Sequence, residues 1–384
     1  MQYDIVIVGS GPAGASTALH LAQRAPDLAA RTLVLESAVH PRPKLCAGGI
    51  MPGGVSWLTR LGLDLDEVPS TNVTEAHFLF EGRGFVVRRD SAVFRVVRRE
   101  QFDAWLVGKA RQRGVAIHEG ARVRRVEVHE SGVSIETDAG QYSSRVVVGA
   151  DGANSVVRRM TMRGAPSRLS RLIEARATQS QVGIDLTSSI HRATVDFSWM
   201  PEGVQGYFWD FPVQIGDCAG RTWGVFDSRA CLGSRPRSLA PVIDDAFARQ
   251  GIHLDGVPLA GHPLRWFDPH GPFSIPNVLL VGDAAGVDPL LGEGISFALG
   301  YGEIAAQELM DAFGNNQFDF EDYRRRVLTH RVGRYLRRRA WVARLLYRLR
   351  SRALLRCAWH VLGFPVGKLA EWLLVDWGTP LRSL

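Results

Sequence analysis

Cysteine is scarce in this chain. Four occur in 384 residues, at positions 46, 218, 231 and 357. No CxxC pair and no Cys/His cluster is formed, so zinc and iron–sulfur sites are not expected, and no other metal site is read. Four scattered thiols cannot make a disulfide scaffold, and a reducing cytoplasm is the expected compartment. Long apolar runs are missing too. No uncharged apolar segment reaches the roughly 18–20 residues that crossing a bilayer needs. The opening residues, MQYDIVIVG, have no basic n-region and read directly as a strand, not a signal peptide. No internal repeat or low-complexity tract stands out. Acidic residues are the minority: 39 Asp and Glu stand against 46 Lys and Arg, a formal charge of +7. That excess favours an anionic surface or ligand, such as lipid headgroups, nucleic acid or phosphates.

What is present begins with a nucleotide-binding unit. Asp4 to Val8 form a short apolar run, as in a strand buried in a parallel sheet. Gly9-Ser10-Gly11-Pro12-Ala13-Gly14 follows, then a helical pattern through Leu21. TLVLE supplies a second strand ending at Glu36, about 20 residues on. Gly9 permits the tight turn, Gly11 lets backbone approach a pyrophosphate, and Gly14 lets helix and strand pack closely. Pro12 and Ala13 open the helix, whose free N–H groups suit phosphate oxygens. Glu36 is placed to accept from a ribose hydroxyl, which argues against a 2′-phosphate and leaves FAD or NAD.

Two later segments favour FAD. SSRVVVGADGANSVVRR is a buried strand ending near Asp151. PNVLLVGDAAGVDPLLGEGISFALG is another, ending at Asp283 and passing through Gly292-Glu293-Gly294 into a helix. Two glycine-rich turns far apart suit a long cofactor held at both ends. Asp283 is a candidate acceptor for ribityl hydroxyls. The helix start at Gly294-Ile295 can aim N–H groups at the electron-rich edge of a reduced flavin.

GxGxxG, GADGANSVVRR and GDAAG…P…GEGI together resemble the FAD-dependent oxidoreductases built like para-hydroxybenzoate hydroxylase. RREQFDAWL adds that family's Arg-x-x-Phe-Asp at Arg99, Phe102 and Asp103. The resemblance covers roughly residues 1–325. It implies that Arg99 lies against the cofactor and that backbone at Val123 holds the adenine.

Smaller motifs narrow the chemistry, since a fold alone does not. Pro41, Arg42, Lys44, Cys46, Ala47, Gly48 and Gly49 resemble the Pro-Arg…Lys-x-Cys-Gly-Gly-Gly segment of geranylgeranyl reductases, departing at Ala47. GYFWDFP resembles their Tyr-x-Trp-x-Phe-Pro element, at Tyr207, Trp209, Phe211 and Pro212. The tryptophan halogenases' Trp-x-Trp-x-Ile-Pro signature is absent. The resemblance implies an FAD-dependent reductase that saturates carbon–carbon double bonds of an isoprenoid chain on a lipid, quinone or pigment precursor. It places Lys44, Cys46, Ala47, Gly48 and Gly49 along the flavin, and Cys46, Tyr207 and Trp209 at the reacting end. Cys46 also reads as a small buried hydrophobe, and the aromatic run as a half-buried strand. A slot lined by Tyr207, Phe208, Trp209 and Phe211 is expected to hold an apolar chain. The alternatives are an FAD-dependent monooxygenase, hydroxylating or epoxidising an aromatic or polyene, and a non-enzymatic flavin subunit. No second nucleotide fold is read, so the electron donor is external, NAD(P)H or a protein such as ferredoxin.

From Tyr323 the chain is rich in arginine, leucine and tryptophan. Arg344, Arg348, Arg352 and Arg356 recur every four residues, as on one face of a basic amphipathic helix. A second, apolar helix is expected around Val366 to Trp377. Such helices can lie among anionic headgroups, which sets the expected location in the cytoplasm at the inner face of the membrane. The same arginines also read as a solvated helix face. Nucleic acid is not an expected partner, because no recognition motif accompanies the charge. The expected architecture is α/β. A discontinuous Rossmann-like FAD domain takes residues 1–72, 100–165 and 270–325. An antiparallel sheet for substrate takes 73–99 and 166–269. Basic helices take 326–384.

Overall fold

The computed structural model describes residues 2–165, 168–182, 189–231, 237–252 and 257–374. The apolar run at the N-terminus becomes the strand Gln2–Val8, in the middle of an eight-stranded sheet. Its neighbours Gly140–Gly149 and Thr32–Leu35 both run parallel to it. Ala116–His118 extends the sheet on one side and Val278–Leu280 on the other, again parallel. An antiparallel hairpin, Val123–His129 and Gly132–Thr137, leans on Gly140–Gly149. Ile5, Val6 and Ile7 are fully buried because helices cover this region of the sheet. Helix Pro12–Arg24 meets helix Ile295–Asn315 through small residues. A methyl on Gly302 would stand 2.3 Å from Ser16 Oγ, which itself donates to the Leu299 carbonyl at 2.7 Å. The first and last parts of the nucleotide fold are thereby locked together.

A second sheet has seven strands, in the order Ala260–Arg265, Leu169–Thr178, Cys218–Asp227, Gly206–Ile215, Arg192–Asp196, Glu75–Phe80, Arg83–Arg88. Its neighbouring strands pair antiparallel, as expected from the alternating sequence, with one exception. Arg192–Asp196 and Glu75–Phe80 pair in parallel. No hairpin joins these two strands, so no turn dictates their relative direction. Helix Ala240–Gln250 covers one face with Val242, Ile243 and Phe247. A third, small sheet orders Gly49–Ile50, Phe94–Val97 and Ser70–Val73. It pins the cysteine-bearing segment to the strand that leads into helix Arg99–Gln112.

The C-terminal segment corrects one expectation. No continuous helix carries Arg344, Arg348, Arg352 and Arg356 on a single face. Helix Arg331–Leu346 ends at Tyr347, whose buried hydroxyl donates to the Leu290 carbonyl. Ser351 then accepts from the Leu354 N–H and starts the short helix Arg352–Arg356. Anchoring Tyr347 to the body turns the chain, and Arg352 and Arg356 both pair with Glu81. Helix Gly363–Leu374 stands where the apolar helix was expected, and residues 375–377 lie outside the described residues. Among the described residues, no helix is long and apolar enough to cross a membrane.

Candidate active site

The glycines of the first turn have separate geometric reasons. Gly9 has φ +100°, and a methyl there would stand 2.5 Å from the Ala150 carbonyl oxygen. A methyl on Gly14 would stand 1.9 Å from the Gly9 carbonyl oxygen. Gly11 is different: a methyl there meets only the Arg42 guanidinium, at 3.8 Å. The space beside Gly11 belongs to a cavity of about 730 Å³ that Gly9, Pro12 and Ala13 also line. Gly11 caps helix Pro12–Arg24 with no side chain bonded to its first N–H groups. Those donors are left for an anion.

Glu36 lies at the same end. Its Oε2 accepts from Ser10 N–H at 2.9 Å and Ser10 Oγ at 2.7 Å, and its Oε1 accepts from Ala38 N–H at 3.1 Å. Burial pushes this carboxyl up, but the Ser10 bonds and the Arg42 charge outweigh it, so Glu36 is held below its ordinary range. An ionised acceptor therefore lines this end of the cavity. Val123, at the start of the hairpin, is buried and lines the same cavity.

Arg99 is buried and donates to both carboxylate oxygens of Asp103, each at 2.8 Å. Burial alone would lower its guanidinium, yet Asp103 holds it above its ordinary value and charged. Arg42 approaches the same Asp103 at 3.1 Å. Lys44 Nζ lies 2.7 Å from His262 Nε2. Burial, aided by the Lys44 and Arg99 charges, lowers the His262 imidazole to about 4. The ring is then neutral and accepts from the ammonium. Burial, with Arg99, also lowers Lys44, while Asp283 opposes the change. Desolvation pushes the half-buried Asp283 up, and Lys44, Arg99 and Arg265 counter that shift. Asp151 lines the cavity, but its carboxylate accepts from Ser155 Oγ and from the N–H groups of Val156 and Val157. Its side chain thus takes the first two N–H groups of the helix Val156–Thr161, whose N-cap is Ser155.

The strip after Lys44 runs along the cavity wall. Gly48 N–H donates to Cys46 Sγ at 3.4 Å, and Arg176 donates to the Cys46 carbonyl at 3.3 Å. Gly48 has φ +79°, and a methyl there would stand 2.0 Å from the Val97 carbonyl oxygen. Cys46, Ala47, Gly48 and Gly49 all line the cavity. At the far end the strand Gly206–Ile215 presents Tyr207, Trp209 and Phe211 to it. Phe208 does not join them, which corrects the expected slot. Alternation along a strand turns it to the other face, where it is fully buried against Trp199 and Phe247. Trp209 has room because Gly224 lies opposite, where a methyl would come within 2.3 Å of its ring. Gly292, Gly294 and Ile295 close this end, and helix Ile295–Asn315 starts there with no side-chain cap. Gly292 faces Phe226, 3.0 Å from where its methyl would be.

Sequence reasoning missed several groups of the site. Arg42 lines the cavity and Ser10 holds Glu36 in place, and the motifs that contain them assign neither a role. His262 and Phe226 belong to no motif and reach the cavity only through strand pairing. Their signal lies in the register of the second sheet, which one sequence does not disclose.

The cavity thus joins an open glycine cradle, an ionised carboxylate, a glycine-rich strip and two uncapped helix starts. That arrangement fits an extended dinucleotide with a planar ring at one end. Residues 2–179 match the family described as an FAD binding domain. Digeranylgeranylglycerophospholipid reductase 2 of Methanopyrus kandleri is 32% identical over 330 residues, covering 81% of this chain and 78% of that protein. Menaquinone reductase of Mycolicibacterium smegmatis is 28% identical, covering 98% and 95%. A geranylgeranyl bacteriochlorophyll reductase-like protein from Thermoplasma acidophilum superposes with a TM-score of 0.72 at 20% identity, covering 97% and 99%. The protein is an FAD-dependent oxidoreductase. Within that class, the chain belongs to the geranylgeranyl reductase family.

Proposed function

We propose that this protein saturates carbon–carbon double bonds in an isoprenoid chain borne by a lipid, quinone or pigment precursor. The observation that carries this reading is the aromatic wall of Tyr207, Trp209 and Phe211 in the same cavity as the glycine strip 48–49. An isolated alkene offers no carbonyl to polarise, so its reduction depends on position and on exclusion of water. Bound FAD, once reduced, supplies the hydride for one alkene carbon, and a proton completes the other.

The chain's own residues bind and orient. Helix Pro12–Arg24 and Arg42 hold the phosphates, Glu36 the ribose, and backbone near Val123 the adenine. Asp283 and backbone at Asp151 take the ribityl end, with Arg99 and Lys44 beside the ring. Gly292, Gly294 and Ile295 offer backbone to its far edge. Cys46, Ala47, Gly48 and Gly49 let the ring lie close. Tyr207 and Trp209 form the surface on which the alkene rests, and Cys46 handles the proton. Electrons come from an external donor, NAD(P)H or a protein such as ferredoxin. Lipid extracted with the purified protein and identified by mass spectrometry tests the substrate class. An isoprenoid lipid, quinone or pigment is expected, and a small aromatic compound argues for a monooxygenase.

The C-terminal helices rest on an anionic membrane surface in this reading. Arg334, Arg337 and Arg338 line a surface groove of about 630 Å³ with Trp341, Leu369 and Trp372. Trp341 is 63% exposed and Phe364 78%. Cationic stems around exposed aromatic rings suit the headgroup boundary. Sedimentation with anionic vesicles, lost in a Trp341→Ser, Phe364→Ser protein, is the expected result. Equal sedimentation of that variant contradicts it.

A further inference from the structure

We infer that Arg339 is a positioning residue for the FAD site, holding the 288–294 loop in the shape that closes the flavin end of the cavity. The sequence sets Arg339 in a run of arginines, where a solvated or headgroup-facing cation is expected. Its side chain is instead fully buried. Nη1 donates to Asp288 Oδ2 at 2.7 Å and to Glu293 Oε2 at 2.6 Å. The guanidinium carbon lies 5.0 Å from the centre of the Phe297 ring. A buried guanidinium is costly without such partners, and all three come from one short stretch of chain.

That stretch is organised around the same carboxylate. Asp288 accepts from the N–H groups of Leu290 at 2.7 Å, Leu291 at 3.2 Å and Glu293 at 3.4 Å. The Leu290 carbonyl accepts from Tyr347, and the Leu291 carbonyl accepts from Tyr207 at 2.5 Å. The loop is thus clamped by the C-terminal segment on one side and by the aromatic strand on the other. Its products are Gly292 and Gly294 in the cavity wall, and the uncapped start of helix Ile295–Asn315. Displacing Asp288 or Glu293 moves the backbone that faces the cofactor, although Arg339 itself lies outside the cavity lining. A purely adhesive Arg339 would fasten the last helices to the body and leave the cofactor end unchanged.

The test compares Arg339→Lys and the charge-balanced pair Arg339→Met, Glu293→Gln with wild type, each as FAD-loaded full-length protein. Lysine keeps the charge but loses the planar group over Phe297. FAD affinity of the stripped protein and the visible flavin spectrum are read beside melting temperature. Neither depends on the proposed alkene reduction; only the turnover readout rests on it. Expected for Arg339→Lys is a folded protein with FAD affinity weakened roughly tenfold, a shifted flavin spectrum, and turnover per bound FAD down by about tenfold or more. The paired variant, should the lysine protein not fold, is expected to show the same spectral and affinity changes. A folded variant with wild-type affinity, spectrum and turnover per bound FAD, whatever its melting temperature, overturns the inference.

Discussion

The Tyr207 hydroxyl donates to the Leu291 carbonyl oxygen at 2.5 Å. Burial pushes this phenol well above its ordinary value, with the Asp288 charge adding to the effect. The proton is committed to the loop, and the ring serves as wall. Tyr207→Phe keeps that wall and strands a buried carbonyl, at a cost of about 1–3 kcal/mol. A lower melting temperature and a loss of turnover under about 100-fold are expected. Loss of a general acid would cost roughly 10²–10⁴. Calorimetry beside single-turnover reduction separates the two.

The first two motif glycines after Gly9 should fail differently. Gly11→Ala places a methyl in the cavity, near nothing but Arg42 at 3.8 Å. The stripped protein should melt as wild type does, while FAD affinity falls by about tenfold or more. Gly14→Ala drives a methyl to 1.9 Å from the Gly9 carbonyl oxygen. It should destabilise the fold itself by about 1–3 kcal/mol or more. FAD titration and melting of both variants check the contrast.

That contrast shows what a single sequence discloses. The turn at Gly9–Gly14 was legible because its backbone demands fix residue type at fixed spacing. The start of helix Ile295–Asn315 was legible for the same reason. Phe208 is a different case: strand alternation already sets it opposite Tyr207 and Trp209, yet an unbroken aromatic run suggests one slot. Arg339 was not legible, because only helix register distinguishes it from its exposed neighbours Arg337 and Arg338. His262 depends on pairing between Ala260–Arg265 and Leu169–Thr178, a long-range choice with no local mark. The third sheet is equally long-range, since two of its strands are only two and four residues long.

His20 sets a pH dependence of stability. It is fully buried, and neither ring nitrogen has a hydrogen-bond partner. Burial lowers it from its ordinary 6.5 to about 4, against the pull of Glu303. Above pH 6.5 the ring is neutral in both states and adds no pH dependence. Between 6.5 and 4 the unfolded chain binds the proton and the folded one does not, so stability falls as pH falls. The full window is worth about 3 kcal/mol. Melting curves from pH 7 to 4 should show the drop, and because burial lowers His262 and His330 to about 4 as well, His20→Leu should make the slope shallower without abolishing it. An unchanged slope in that variant would show that other groups set the acid limit.

Cys46 is held by the Gly48 N–H at the cavity wall. Cys46→Ala should bind FAD as wild type does and lose about tenfold or more in alkene reduction. Turnover equal to wild type would leave the thiol as a residue that fits the strip and does no chemistry.

The central claim is tested by incubating dithionite-reduced enzyme with a geranylgeranyl lipid without oxygen and weighing the product. A gain of two hydrogens per double bond, matched by reoxidation of the flavin, is the predicted result. Flavin that stays reduced beside unaltered lipid, with product appearing only in air and gaining an oxygen atom, would contradict it.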